Sequence, residues 1–224
     1  VTAAWDIGDP KNIPEQLDLK KKNLSLWLYN ITHADLSKAV NQDKDFTLSH
    51  LNKGQYIPEM EFLIPVTSKK TYQSLNEMCK LNALNENIDP NNLVLAKDKE
   101  NTLLSGYITG SIDLVFCLNN RFYVIDYKSN YLGNHKEDYS QKTIGDNVFS
   151  PHHRYDMQYL IYSVALQRLL RSRLGDLYNF DTHFGGVIYL YFRGLYQNEQ
   201  FGVFSTHPQE KTVNDFEKLL NKED

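Results

Sequence analysis

The sequence predicts an α/β domain with a mixed central sheet flanked by helices, and three stretches predict it. Residues 105–130 hold two β-branched and aromatic runs around Asn119-Asn120, a pair that tolerates the positive φ values of a tight hairpin turn. Residues 155–174 carry Met157, Leu160, Ile161 and Val164 at helical spacing, over a length that suits a core-packing helix. Residues 185–192 form a continuous apolar run, the pattern of a strand buried on both faces of a central sheet.

Residues 1–19 mix Trp5, Pro10, Pro14 and charges without periodicity and are expected to be an irregular lead-in. Leu24, Trp27, Leu28 and Ile31 then follow the spacing of an amphipathic helix, within a lead-in that runs to residue 55. His33 and His50 lie in the same region and read as surface or capping histidines. Residues 56–66 read as a strand, with Pro58 and Pro65 pointing to a sheet edge or to the strand ends. Glu59 and Glu61 share one face of that strand, so either could add a carboxylate to a site on the adjoining hairpin. A solvated face is the plain alternative for both.

Residues 67–102, rich in Asn, Lys and Glu, read as a helix followed by a long exposed connection that carries no chemistry. Residues 131–151 read as a loop and a short helix over the hairpin's end. On the long helix, Gln158 and Tyr162 are four apart and share one face, although a helical Tyr usually only packs. Arg168, Arg171 and Arg173 crowd the last turns, where cations suit the helix dipole in any case. Val213, Phe216, Leu219 and Leu220 recur at helical spacing in a C-terminal tail, 201–224, beyond a core spanning 56–200.

The chemistry concentrates at the hairpin. If Asn119 and Asn120 form a two-residue turn, paired residue numbers sum to 239, Val115 faces Val124, and Asp113 lies opposite Asp126. Strand alternation then puts Asp113, Asp126 and Lys128 on one face. Directly opposed like charges destabilise a sheet, so two carboxylates there call for a divalent cation between them. Lys128, two residues on, could hold a water or a phosphate oxygen beside that metal. A surface hairpin with solvated carboxylates is the bland reading, but both Asp residues are embedded in apolar runs.

Composition sets the bounds. The 224 residues suit one domain with a substantial core. Cys79 and Cys117 are the only cysteines, too few for a four-cysteine iron–sulfur site or a disulfide framework, which fits a reducing cytoplasm. No apolar run approaches the ~20 residues of a membrane span. The net charge of −4 counts against gripping DNA by bulk electrostatics and favours a module of a larger machine.

An Asp ending one strand and an Asp-x-Lys ending the next resembles the PD-(D/E)xK nuclease superfamily. Four ordered motifs narrow the resemblance: Gly110-Ser-Ile-Asp113, Asp126-Tyr-Lys128-Ser-Asn130-Tyr-Leu-Gly133, Arg154-Tyr-Asp-Met-Gln158-Tyr-Leu-Ile-Tyr162 and His183-Phe-Gly-Gly-Val-Ile-Tyr-Leu. Together they are similar to the C-terminal nuclease domain of the exodeoxyribonuclease V beta-subunit family (RecB), from about Tyr56 onward. The resemblance implies a restriction-endonuclease-like fold and Mg²⁺-dependent hydrolysis of DNA phosphodiester bonds. It implies Mg²⁺ on Asp113, Asp126 and the carbonyl of Tyr127, with Lys128 orienting or deprotonating the attacking water. Glu59, preferred over Glu61 by its spacing to Asp113, would assist. Gln158 and Tyr162 match a family motif beside the active site and would also touch DNA, as would Arg168 and Arg171.

The implied partners are single- and double-stranded DNA, the helicase part of the same subunit, the gamma and alpha subunits of exodeoxyribonuclease V, and the RecA recombinase, in double-strand-break repair. The family also uses a histidine ligand on a helix that finds no match here. The chain is therefore expected to be a single nuclease domain excised just after that helix, weak in Mg²⁺ binding and slow in cutting by itself. The rival expectation is a DNA-end-binding or protein-interaction module on a degenerate nuclease fold; retention of Asp113, Asp126 and Lys128 argues against it.

Overall fold

The structure, a computed structural model, describes residues 13–43, 45–67, 72–86, 88–89, 105–150, 152–196 and 199–221. It is a five-stranded mixed sheet flanked by helices, as a restriction-endonuclease-like fold requires. The strands are β1 (Tyr56–Val66), β2 (Gly106–Leu118), β3 (Arg121–Lys128), β4 (Phe184–Tyr191) and β5 (Val203–Thr206), in spatial order β1-β2-β3-β4-β5. Only β3 and β4 run parallel; the other neighbours are antiparallel. The helices are α1 (Ile13–Thr32), α2 (Tyr72–Asn85), α3 (Gln141–Val148), α4 (Tyr155–Leu174), α5 (Phe180–His183) and α6 (Glu210–Leu220).

The hairpin forms in the expected register. Leu114 pairs with Ile125, Val115 with Val124 and Leu118 with Arg121, while Asn119 and Asn120 take φ values of 50° and 64°. Positive φ at both central residues matches the right-handed strand twist, which is why two consecutive Asn serve there. The strand 56–66 lies at the sheet edge, where Pro58 and Pro65 cost no ladder bond on the open side.

Alternation sorts the sheet into two cores. Val115, Val124, Val187, Tyr189 and Tyr191 face α2, α3, α4 and α6. Phe116, Tyr123, Ile125, Ile188 and Leu190 face the other way, onto Ala34, Leu36, Val40 and Phe46. That second face is covered by a largely irregular segment after α1, not by a regular helix. α4 matches the expected bounds but buries a broader front than a Met157–Val164 stripe, since Tyr159, Leu166 and Leu170 are enclosed as well.

Three expectations change. α1 begins at Ile13, inside the stretch read as irregular, because Pro14 lies in the first helical turn, where a missing N–H costs nothing. Its apolar stripe is not a core face: Leu24 and Leu28 are each 52% exposed, and only Ile31 is buried. Trp27 anchors the helix by donating its indole N–H to the Phe192 carbonyl at 3.0 Å. The tail at 201–224 holds β5 and a core helix, with Val213, Phe216 and Leu220 fully enclosed. The short helix α3 packs toward β5, with the Gly145 position against the Phe204 ring, and its Asn147 accepts the hydroxyl of Tyr191, the ladder partner of Lys128. Of 67–102, the helix forms as α2, which buries Cys79; most of the expected connection lies outside the described residues.

Candidate active site

Asp113 and Asp126 are the first residues beyond the last β2–β3 pair, Leu114–Ile125, and there the two strands part. β2 continues alone with β1, while β3 continues with β4 through the pairs Asp126–Tyr189 and Lys128–Tyr191. Asp126 and Lys128 alternate with the buried Ile125 and so project toward α4 with Val124. On the edge strand, Glu59 sits between the pairs Pro58–Leu114 and Met60–Ile112, across from Asp113, with φ of 48°. A non-glycine residue in that region costs energy and interrupts the ladder. Three carboxylates from three strands therefore occupy one row.

Each carboxylate has distinct partners. Asp113 Oδ2 accepts the backbone N–H of Tyr127 at 2.7 Å. Asp126 Oδ1 accepts the Tyr162 hydroxyl at 2.9 Å, and its Oδ2 lies 2.6 Å from Lys128 Nζ. Glu59 Oε2 accepts the Ser111 hydroxyl at 2.9 Å. Burial, with the Asp126 and Glu59 charges behind it, holds the Asp113 carboxyl above the usual carboxylate range, although the Tyr127 N–H pulls it back.

α4 closes the site from above. Lys128 Nζ donates to Gln158 Oε1 at 2.7 Å, Gln158 Nε2 donates to Tyr162 Oη at 2.9 Å, and Tyr162 reaches Asp126. The buried Tyr189 hydroxyl lies 2.9 Å from the Tyr155 carbonyl and 3.2 Å from Gln158 Oε1, and its one proton is shared toward the nearer carbonyl. Lys128 also lies 3.7 Å from the Tyr155 ring centroid and 4.8 Å from that of Tyr189, both within cation–π range. Burial draws the Lys128 pKa down, opposed by Asp126 beside it. The Tyr162 hydroxyl is pushed up by burial and by the Asp126 charge, so it stays protonated and can donate.

The sequence-expected residues divide cleanly. Asp113, Asp126, Tyr127, Lys128, Gln158 and Tyr162 come together, and Glu59 joins them through Ser111. Glu61 pairs with Ser111 along the ladder, whereas Glu59 carries the side-chain bond. Arg168 and Arg171 do not join. Arg168 Nε is 2.7 Å and Arg171 Nη1 2.9 Å from the Glu217 carboxylate on α6. His50 caps its own turn through the Thr47 N–H, and His33 stacks on Tyr29 at 3.8 Å, so neither reaches the row.

Sequence reasoning assigned no separate role to three further residues. Tyr155 and Tyr189 enclose Lys128, and the aromatic residues recurring near it were the only signal. Arg154, with φ of 52°, binds the fully buried Asp156 at 3.0 Å; the Arg-x-Asp spacing just before Gln158 was the signal there.

Among the described residues, no three His, Cys, Asp or Glu side chains form a group able to hold a metal ion. The donors present are nonetheless hard oxygens, from Asp113 and Asp126, and burial, with the neighbouring Asp126 and Glu59 charges behind it, is what raises Asp113. A small hard cation is commonly held by one or two carboxylates, with water and substrate phosphate completing the shell. The donor set fits that kind of ion.

The chain resembles known proteins over most of its length. Over 199 residues the chain is 35% identical to the RecBCD enzyme subunit RecB of Buchnera aphidicola subsp. Schizaphis graminum, covering 89% of this chain and 15% of that protein. Over 208 residues it is 32% identical to RecB of Escherichia coli K12, covering 89% and 16% respectively. The chain is related to RecB. A third relative, RecB of Haemophilus influenzae, is 33% identical over 199 residues, again 89% of this chain and 15% of its own length. The RecB-related chain thus spans about 15% of the length of the curated relatives it matches. No family model matches it.

Proposed function

We propose that this chain is a deoxyribonuclease domain that hydrolyses phosphodiester bonds with Mg²⁺, within a RecBCD-type helicase–nuclease. One observation carries the reading: Asp113, Asp126 and Lys128, from two strands that part beside them, converge with Gln158 and Tyr162 of α4. The relatives' name and the four sequence motifs support it independently.

Asp113, Asp126 and the Tyr127 carbonyl would hold the cation. When bound, a divalent cation supplies Lewis-acid activation of the phosphate and of a water. Lys128 places an ammonium beside the same carboxylates, where it stabilises negative charge developing on phosphoryl oxygens and orients the attacking water. Gln158 and the two tyrosine rings fix that ammonium before substrate arrives, so little reorganisation remains for the reaction itself. Tyr162 donates to Asp126 Oδ1 and holds that carboxylate in place beside Lys128. Glu59, held by Ser111, contributes its carboxylate from the edge strand.

The net charge of −4 assigns the gripping of DNA to other parts of the assembly. We place among them the helicase part of the same subunit and the gamma and alpha subunits, with RecA as a docking partner. Cleavage of labelled single- and double-stranded DNA by the intact protein, with Mg²⁺ and with chelator, tests the reading. Cleavage should need the metal and vanish in Asp126→Ala with DNA binding intact. Unchanged cleavage in Asp126→Ala would overturn it.

A further inference from the structure

Beside the carboxylate row, a cavity of about 370 Å³ opens between the β1–β2 ribbon and the first turns of α4. Its walls are of two kinds. Phe62, Met157 and Ile161 supply an apolar side, while Ser111, Gln158 and Arg154 supply hydrogen-bonding groups at the edge shared with the row. Among the described residues no carboxylate lines it. Arg154 is held there, its Nε and Nη2 on the Asp156 carboxylate at 3.0 and 3.3 Å and its Nη1 on Asn76 at 3.4 Å. The floor depends on an absent side chain. A Cβ at Gly110 would come within 2.7 Å of the Phe62 ring, so the ring holds its place in the wall because residue 110 is a glycine.

We propose that this cavity is a nucleotide subsite that receives the sugar and base next to the bond being cut. The inference rests on the nuclease reading and extends it. A DNA strand whose phosphate meets Asp113, Asp126 and Lys128 must place an adjoining nucleoside within a few ångströms of them. The cavity shares Ser111, Gln158 and Tyr162 with that row, and its size matches the smaller ligand pockets of proteins. An apolar wall with a polar rim suits a base, which offers a flat apolar face and a hydrogen-bonding edge. The wall chemistry reads no particular base. It accepts any of the four, because each has a π-face, and such contacts tolerate sequence.

Substrates lacking one base test this in the intact protein that carries the chain. End-labelled single strands with a single tetrahydrofuran abasic residue, stepped along the strand, give the rate at each bond. Cleavage beside the abasic position should fall about 10-fold relative to the unmodified strand, the size expected when one base loses its contact surface. Gly110→Ala, which must displace the Phe62 ring from the cavity wall, should bring that ratio close to 1. Ile161→Trp, which fills it from the helix side, should do the same, and it tests the idea again should Gly110→Ala fail to fold. The ratio is internal to each variant, so a general loss of activity cancels.

A ratio near 1 in the wild-type protein, or an unchanged 10-fold ratio in both variants, would overturn the subsite alone. No cleavage of any strand in the presence of divalent metal would overturn the nuclease reading and the subsite with it.

Discussion

The two halves of α4 carry similar polar side chains and do different things with them. In the first half, Gln158 and Tyr162 turn onto Lys128 and Asp126, charged groups that stay available beside the carboxylate row. In the second half, Arg168 and Arg171 close on Glu217, with Asn214 and Asn221 completing the cluster. The second set satisfies itself within the fold, and its energy goes into fastening α6 to α4. Residue type does not separate the halves. What separates them is whether the partner is a group that chemistry still needs.

The sharpest way to test that division is to remove the cation from the first half. Lys128→Ala should lower cleavage by at least about 10²–10³-fold, the usual loss when one preorganised donor to a developing negative charge is deleted. DNA unwinding by the intact enzyme should be untouched, because Lys128 serves only the phosphoryl step. Wild-type cutting in that variant would end the assignment. Gln158→Ala tests the layer above. It frees Lys128 and Tyr162 without removing either, so the turnover number should drop about 10–100-fold, as for other groups that orient reacting residues. Loss of folding in place of turnover would move Gln158 into the second category.

The second half should respond in stability instead. Glu217→Ala leaves two guanidinium groups with only Asn221 and Asn214 and should cost about 1–3 kcal/mol in a urea titration, while cleavage at permissive temperature stays at the wild-type level. A cleavage defect without a stability loss would reverse the comparison.

Asp113→Asn gives a smaller effect of opposite sign. The Asp113 pKa is raised in the folded state, chiefly by burial. Its ionised form therefore opposes folding at neutral pH, and the penalty disappears as pH falls through the folded value and the native state takes up the proton. With chelator present, the Asn variant should unfold at a higher temperature than wild type at pH 7, and the gap should close in acid. A gap that widens on acidification would contradict a raised Asp113 pKa.

Last, Arg168→Gln should leave the salt dependence of DNA binding unchanged. A lost phosphate contact would lower the slope by about 0.7–0.9, and a change of that size would return Arg168 to the DNA.

Much of this was legible because it is local. The 239 register follows from two asparagines and the alternation around them, and it aligns Asp113 with Asp126 at the point where the strands part. The β3–β4 pairing was foreshadowed by the unbroken apolar run that a twice-covered strand requires. What escaped is non-local. Leu36, Val40 and Phe46 cover a whole sheet face from an irregular segment with no period to detect. Four-residue β5 is too short for alternation to distinguish it from a tail. Arg168 reads like a phosphate ligand until Glu217, 49 positions away, is seen beside it.

The parting of β2 from β3 has a consequence for motion. Beyond Leu114, β2 is paired with β1 alone, and two-stranded ribbons are marginal unless something packs on them. Here Ile64, Val66 and Ile112 anchor one face, while Leu63 and Tyr107 remain 60% and 68% exposed. β3, by contrast, lies between two strands as far as Ile125, and its Asp126–Lys128 end stays paired with the fully buried residues of β4. Amides of the ribbon should therefore exchange with solvent through smaller openings than those of β3, as separate cooperative units do. Asp113 and Glu59 ride on the looser unit and Asp126 and Lys128 on the tighter one, so the row of carboxylates is assembled only while both units are closed.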